Sequence, residues 1–224
     1  KGYWRNNGLS TWTDLSDNSN NGTVNNITQT MLIPEGLDNR DSQGFIMNRQ
    51  RNTSSLNLVN QGSTTSNDLP YVDLVDTTTI ADGSAISFTA WLKPEHVDTQ
   101  YFLSKGFTTD YIKIHDATTI ILRANNVSES FTVGTITPGD WIHIAIVKAA
   151  NDIVSVYING VLNGTASTDT EDLEDVEFDY RYIGGHVDNN SFNGEIDGFL
   201  IHNDELTQAE VLRNYNATKG SHRN

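Results

Sequence analysis

The sequence predicts an all-β fold, two antiparallel sheets packed as a sandwich with one short helix near the C-terminus. Three observations carry that reading. Runs of β-branched and alternating residues recur along the chain, separated by turn signals at the roughly 8–12-residue spacing of sandwiches and barrels. The 224 residues include 25 Asn, 25 Thr and 17 Gly but only 2 Met. Asn and Gly accept the positive φ of tight turns, and Thr fits a pleated surface. Helix formers gather in a single late stretch, and an apolar content of 36% excludes a disordered chain.

The elements follow in order. Lys1–Asn26 carries Trp4 and Trp12, glycine-containing turns and the polar run Ser16–Thr23. In Thr28–Gly44 an extended apolar piece (Met31, Leu32, Ile33) stops at Pro34, and Arg49–Asp68 is a long polar connection or irregular edge. Tyr71–Val75 alternates as a strand. Ile86–Lys93 places Phe88, Ala90 and Leu92 on one face and Thr89 and Trp91 on the other, ending at Pro94. Tyr101–Ser104, Tyr111–His115, Thr119–Arg123 and Phe131–Val133 are short strands. Trp141–Lys148 is apolar on both faces, the mark of a central strand covered on each side. Ile153–Ile158 runs into Asn159-Gly160, a type I′ hairpin signal, which Asn163-Gly164 repeats. Val176–Ile183 sets Val176, Phe178, Tyr180 and Tyr182 against Glu177, Asp179 and Arg181, and Glu195–His202 is the last strand. The helix is Gln208–Tyr215: Thr207 and Glu210 form a capping box, and Leu206 with Val211 a hydrophobic staple. The tail beyond Tyr215 is expected to fray, and the first and last strands to pair side by side.

Charge and composition exclude several function classes. Fourteen Lys+Arg against 29 Asp+Glu give a net charge of −15. That argues against a nucleic-acid partner, because phosphate binding needs clustered Lys and Arg. No Cys is present, which removes disulfides, thiolate metal sites and cysteine nucleophiles. No apolar run approaches the roughly 18 residues of a membrane-spanning helix, so no membrane partner is expected. The chain starts without Met, and one domain over residues 1–224, cut from a longer chain or relieved of a leader, is the expectation.

Several segments resemble a known family in order and spacing. Ser87-Phe88-Thr89-Ala90-Trp91-Leu92-Lys93-Pro94, Phe102-Leu103-Ser104-Lys105-Gly106 and Gly139-Asp140-Trp141-Ile142-His143-Ile144-Ala145 are followed by Val156-Tyr157-Ile158-Asn159-Gly160-Val161. Ile183-Gly184-Gly185, Phe192-Asn193-Gly194-Glu195-Ile196-Asp197-Gly198 and Leu206-Thr207-Gln208-Ala209-Glu210-Val211 complete the series. Together they resemble the concanavalin A-like lectin/laminin G-like jelly rolls. Gly2–Gly8, Trp12–Ser16 and Ile33–Gly36 are similar to laminin G-like modules in virion and tail proteins of marine bacteriophages. The resemblance implies a jelly-roll sandwich acting as a carbohydrate-recognition or adhesion module, or as a virion-surface structural module. It would lie outside the cell or on a virion, with a glycan, a cell-surface polysaccharide or neighbouring virion subunits as partner.

The fold also houses glucanases, whose retaining mechanism needs two carboxyl groups about 5 Å apart. Glu195-Ile196-Asp197 supplies one pair, but Phe199 and Leu200 stand where the acid/base belongs, so no catalytic residue is assigned. A glycoside hydrolase or lyase is the alternative reading, and a structural protein that self-associates through edge strands is another. No Gly-x-Ser-x-Gly, paired metal-spaced His or phosphate loop occurs; His143 reads as a satisfied interior group. The loop Asp14–Thr23, dense in Asp and Asn, provides the hard oxygens that calcium prefers. By the family resemblance Asp17, Asn21 and Asp197 would bind one structural calcium joining the first strand to the last. For glycan contact the loops around Phe107, Asp110 and Tyr111 and around His186, Asp188 and Asn189 offer aromatic rings beside polar groups. Asp169–Asp179, with seven carboxylates in eleven residues, reads as a solvated face.

Overall fold

The computed structural model describes residues 2–5, 11–14, 21–25, 28–31, 54–58, 70–80, 83–106, 110–124, 127–150, 153–166, 178–185 and 190–222. Its strands begin with β1 (Gly2–Arg5), β2 (Thr11–Asp14), β3 (Gly22–Asn25), β4 (Thr28–Met31), β5 (Ser54–Asn57) and β6 (Tyr71–Ile80). They continue with β7 (Ile86–Pro94), β8 (Gln100–Ser104), β9 (Tyr111–Asp116), β10 (Thr119–Ala124) and β11 (Val127–Thr132). The last are β12 (Ile142–Lys148), β13 (Val154–Ile158), β14 (Val161–Ala166), β15 (Phe178–Ile183) and β16 (Gly194–His202). Helix α1 (Gln208–Thr218) and a 3₁₀ turn over Lys219–Ser221 close the described chain.

The strands form two antiparallel layers. The first runs β14-β13-β12-β7-β16-β1, with β5 and then β4 beside the start of β16. The second runs β11-β10-β9-β8-β15-β6-β3-β2. Pairing of β1 with β2 (Trp4↔Asp14, Arg5↔Thr13) joins the layers along one side. The first and last strands pair as the sequence predicts, Gly2↔Ile201 and Tyr3↔Leu200.

The main core lies between the layers. Phe88, Ala90 and Leu92 of β7 and Ile142, Ile144 and Ile146 of β12 meet Ile112, Ile114, Ile120, Leu122, Phe178 and Tyr180 of the second layer. Each Leu, Ile or Phe among them stabilises by about 1.5–3 kcal/mol when fully buried. Phe88 sits edge-on to Phe178 and Tyr180, centroids 5.6 and 5.8 Å apart. The alternate residues of β12 explain why that strand is apolar throughout. Ala145 and Val147 join Tyr157, Leu206 and Val211 in a second cluster beneath α1. The helix begins where the sequence places it: the Glu210 amide donates to Thr207 Oγ1, and the Thr207 amide donates to Glu210 Oε2 at 2.9 Å.

Four expectations are corrected. The tail does not fray: α1 extends to Thr218, and His222 beyond it is buried against β7 and β16. Asn163-Gly164 is no turn but lies inside β14. Gly164 is needed for a different reason: a Cβ there would stand 3.2 Å from the Thr132 carbonyl oxygen and 3.3 Å from Phe131 Cβ, where the edges β14 and β11 meet. Asn159-Gly160 alone makes the I′ turn, with φ of 52° and 79°. β11 starts at Val127 rather than Phe131. Finally, the register of β15 shifts between Tyr180 and Tyr182, so Tyr182 leaves the core face that Phe178 and Tyr180 share.

Candidate functional site

Strand alternation divides the second layer into rows of opposite character. The pairs Leu122↔Ile112, Ile112↔Leu103, Leu103↔Ile183 and Ile183↔Val72 make one cross-strand row, and every member is in the core. The next row reads Ser128↔Arg123↔Tyr111↔Ser104↔Tyr182↔Asp73↔Thr23, spanning β11 to β3. No member of that row belongs to the core cluster. At about 4.8 Å per strand, Tyr111 and Tyr182 stand roughly two strand spacings apart with the buried Ser104 between them. Tyr101, paired with Lys113, lies beside Tyr111, ring centroids 4.7 Å apart and planes perpendicular. Tyr71 meets Tyr182 edge-on at 5.6 Å. Four tyrosines therefore share the outward face of β6, β15, β8 and β9.

Cations accompany the rings. Lys113 Nζ lies 5.2 Å from the centroids of both Tyr101 and Tyr111, and the Arg123 guanidinium 5.7 Å from Tyr111. Arg181 stacks on Tyr182 at 5.1 Å while its fork holds Asp73 through bonds of 2.8 and 2.9 Å. The other acids of this face are engaged as well: Asp179 pairs with Lys105, and Asp110 Oδ2 accepts from the Asp179 amide at 2.7 Å. Burial, with Tyr111 adding and Arg123 opposing, raises the Tyr101 pKa. Burial and Asp73 raise that of Tyr71. Both phenols therefore stay protonated at neutral pH and can donate hydrogen bonds.

The outward face of the first layer has a comparable row, His143↔Trp91↔Asp197, but the C-terminal segment roofs it. The His222 ring stacks on Trp91 at 4.2 Å with planes 5° apart, and meets Trp141 edge-on at 4.8 Å. Trp91 Nε1 donates to Thr218 Oγ1 at 2.8 Å. His222 Nε2 lies 2.8 Å from Asp197 Oδ2, and Nδ1 lies 3.1 Å from the Thr218 carbonyl. Tyr215 covers Trp91 from α1. His143 is interior, but among the described residues its Nδ1 has no hydrogen-bond partner, and burial, aided by His222, lowers its pKa to about 4.

The predicted site residues fall unevenly on this frame. Tyr111 belongs to the tyrosine face, and Asp110, only 3% exposed, forms part of its floor. Phe107, His186, Asp188, Asn189 and Asp17 lie outside the described residues. Asn21 is exposed just before β3. Asp197 lies under the tail, where an ion would have to share its carboxylate with His222. Among the described residues no group of three or more His, Asp or Glu could hold a metal. Glu195 pairs with Lys93 at 3.2 Å, and Phe199, in the acid/base position, is fully buried. Both carboxylates of the glucanase-like pair are engaged, Glu195 by Lys93 and Asp197 by His222. Lys113 and Arg123 went unassigned although their alternation with Ile112, Ile114 and Leu122 is legible; Tyr101 and Tyr182 are hidden by register shifts in β8 and β15.

Among the described residues, no helix is long and apolar enough to cross a membrane. The fold is a two-layer antiparallel jelly roll, with the C-terminal segment roofing the outward row of the first layer. A family model for the Concanavalin A-like lectin/glucanases superfamily (Laminin_G_3) matches residues 62–212, and the chain belongs to that superfamily. No protein of curated function matches it by sequence. Among solved structures it is similar to domain 4 of AbnA, a GH43 extracellular arabinanase from Geobacillus stearothermophilus, in complex with arabinotriose. The identity is 20% and the TM-score 0.60, covering 95% of this chain and 96% of that one. It is also similar to the binding domain of Paraclostridial Mosquitocidal Protein 1 (14%, TM-score 0.63, covering 96% and 51%). A third is the botulinum neurotoxin serotype D ligand binding domain in complex with N-acetylneuraminic acid (16%, TM-score 0.61, covering 96% and 50%). This chain thus spans about half the length of the two toxin structures. At these identities the likeness shows a shared fold.

Proposed function

We propose that the chain is a non-catalytic glycan-recognition module that contacts its ligand with the open tyrosine face of the second layer. The observation that supports this is the row Arg123-Tyr111-Ser104-Tyr182-Asp73, flanked by Tyr101 and Tyr71. A sugar offers C–H faces and a rim of hydroxyls; tyrosine offers an apolar ring and a hydroxyl, so one side chain serves both. The face is built on sheet strands, which hold its spacing more firmly than loops. The sugar complexes of two structural neighbours agree with this reading. The module serves adhesion outside the cell or on a virion surface, against a polysaccharide or a neighbouring subunit.

Titration of a broad glycan panel tests the reading. Saturable binding that weakens about tenfold or more in Tyr101→Ala and Tyr182→Ala supports it; no binding at millimolar sugar, or binding indifferent to both substitutions, rejects it. A reducing-sugar assay on the bound glycan is expected to show no cleavage. A calcium ion held by Asp17, Asn21 and Asp197 is a separable part of the proposal. It predicts a higher melting temperature in excess calcium than in chelator, since a ligand of the folded state alone stabilises it.

A further inference from the structure

We infer that the glycan read by the tyrosine face is an anionic one, carrying carboxylate or sulfate groups, and that Lys113 is the side chain that reads its charge. The inference rests on the proposed glycan site and refines it. The chain carries a net charge of −15, yet four cations, Lys105, Lys113, Arg123 and Arg181, stand on this one face. They are not equivalent. Lys105 and Arg181 neutralise Asp179 and Asp73. Lys113 instead sits over two tyrosine rings, and among the described residues no carboxylate lies within ion-pair distance of it.

The distinction matters for binding. An anion approaching Arg181 must compete with an internal carboxylate already held by two hydrogen bonds. An anion approaching Lys113 displaces no acid. A ring quadrupole attracts a cation without cancelling its charge, so the ammonium keeps donors available while the rings hold it in place. Beyond about 8 Å, the screening length at physiological ionic strength, the acidic remainder of the chain contributes little. Selection for charge then arises from a short-range contact beside the rings that pack on the sugar. A hydrogen bond to a charged group is stronger than a neutral one, so the acidic member of a matched pair is expected to bind at least about tenfold tighter, which is about 1.4 kcal/mol.

The test uses matched glycan pairs differing only in charge: oligogalacturonate and its methyl ester, a heparin octasaccharide and its desulfated form, sialyllactose and lactose. The expected result is a tenfold or greater preference for the acidic member of at least one pair, shrinking as salt rises from 50 to 500 mM. Lys113→Met lowers that preference toward parity, and Lys113→Arg retains it. Should Lys113→Met fail to fold, the salt dependence of the native chain and the Lys113→Arg ratio still decide the matter. Equal affinities within every pair, or a preference untouched by Lys113→Met, overturn the inference while leaving glycan binding intact. Absence of binding to every member at millimolar concentration overturns the glycan site itself, and this inference with it.

Discussion

The two outward faces of the sandwich start from similar material and end differently. Each presents a cross-strand row with aromatic and charged members: His143-Trp91-Asp197 on the first layer, Arg123-Tyr111-Ser104-Tyr182-Asp73 on the second. On the first, α1 and the tail seal the row, leaving Trp91 4% and Asp197 2% exposed. On the second, Tyr111 (7% exposed) and Ser104 (0%) lie low in the row, while Tyr101, Tyr182, Lys113 and Arg181 keep part of their surface in solvent. The lesson is that an aromatic residue facing outward from a sheet is a candidate contact only when the chain does not fold back over it. The roofed row contributes stability; the open one is available for recognition.

Substitutions sharpen that contrast. Trp91→Ala removes the ring on which His222 stacks and is expected to lower unfolding free energy by about 3–5 kcal/mol, read from urea denaturation; a change below 1 kcal/mol would show that the roof contributes little. His222→Ala removes one partner of the buried carboxylate of Asp197 and should destabilise by up to about 3 kcal/mol; adding Asp197→Ala should cost less than a second full increment, because the two share one interaction.

The roofed face also predicts a pH response. His143, with a pKa near 4 in the folded state against 6.5 for the free side chain, binds fewer protons folded than unfolded between those values. Its contribution is therefore present above pH 6.5 and is lost as pH falls toward 4, by at most about 3 kcal/mol. His143→Leu is expected to flatten that slope in melting curves taken from pH 7 to 4; an unchanged slope would place the titrating group elsewhere. The smallest effect on stability belongs to the open face. Tyr182→Ala should cost no more than about 1 kcal/mol, while glycan titration falls tenfold. A large stability loss there would mean that the two faces do not differ as described.

How much was legible beforehand varies by element. β7, β12 and the hairpin at Asn159-Gly160 were readable because alternation, a Pro stop and a turn dipeptide each act locally. The start of α1 was readable for the same reason: Thr207 and Glu210 satisfy each other's amides within four residues. The tail was not, since Thr218 and His222 gain their order from Trp91 and Asp197, far away in the chain. Asn163-Gly164 misled because glycine there answers to the close approach of β11, which no local pattern records. The tyrosine face was half legible. Tyr111, Lys113 and Arg123 follow from strict alternation, but Tyr101 and Tyr182 each depend on a register shift that moves them across the sheet.

By itself the sequence determined that this is an antiparallel sandwich ending in a capped helix, with an apolar stripe in each main strand. Those properties arise from neighbours along the chain, where backbone geometry imposes periods of 2 and 3.6. Tertiary structure alone decided which outward row is sealed and which is open, and that Lys113 lies over two rings rather than beside an acid. Both depend on segments more than a hundred residues apart or on adjacent strands meeting in one register, and burial and charge are settled only once those surfaces come together.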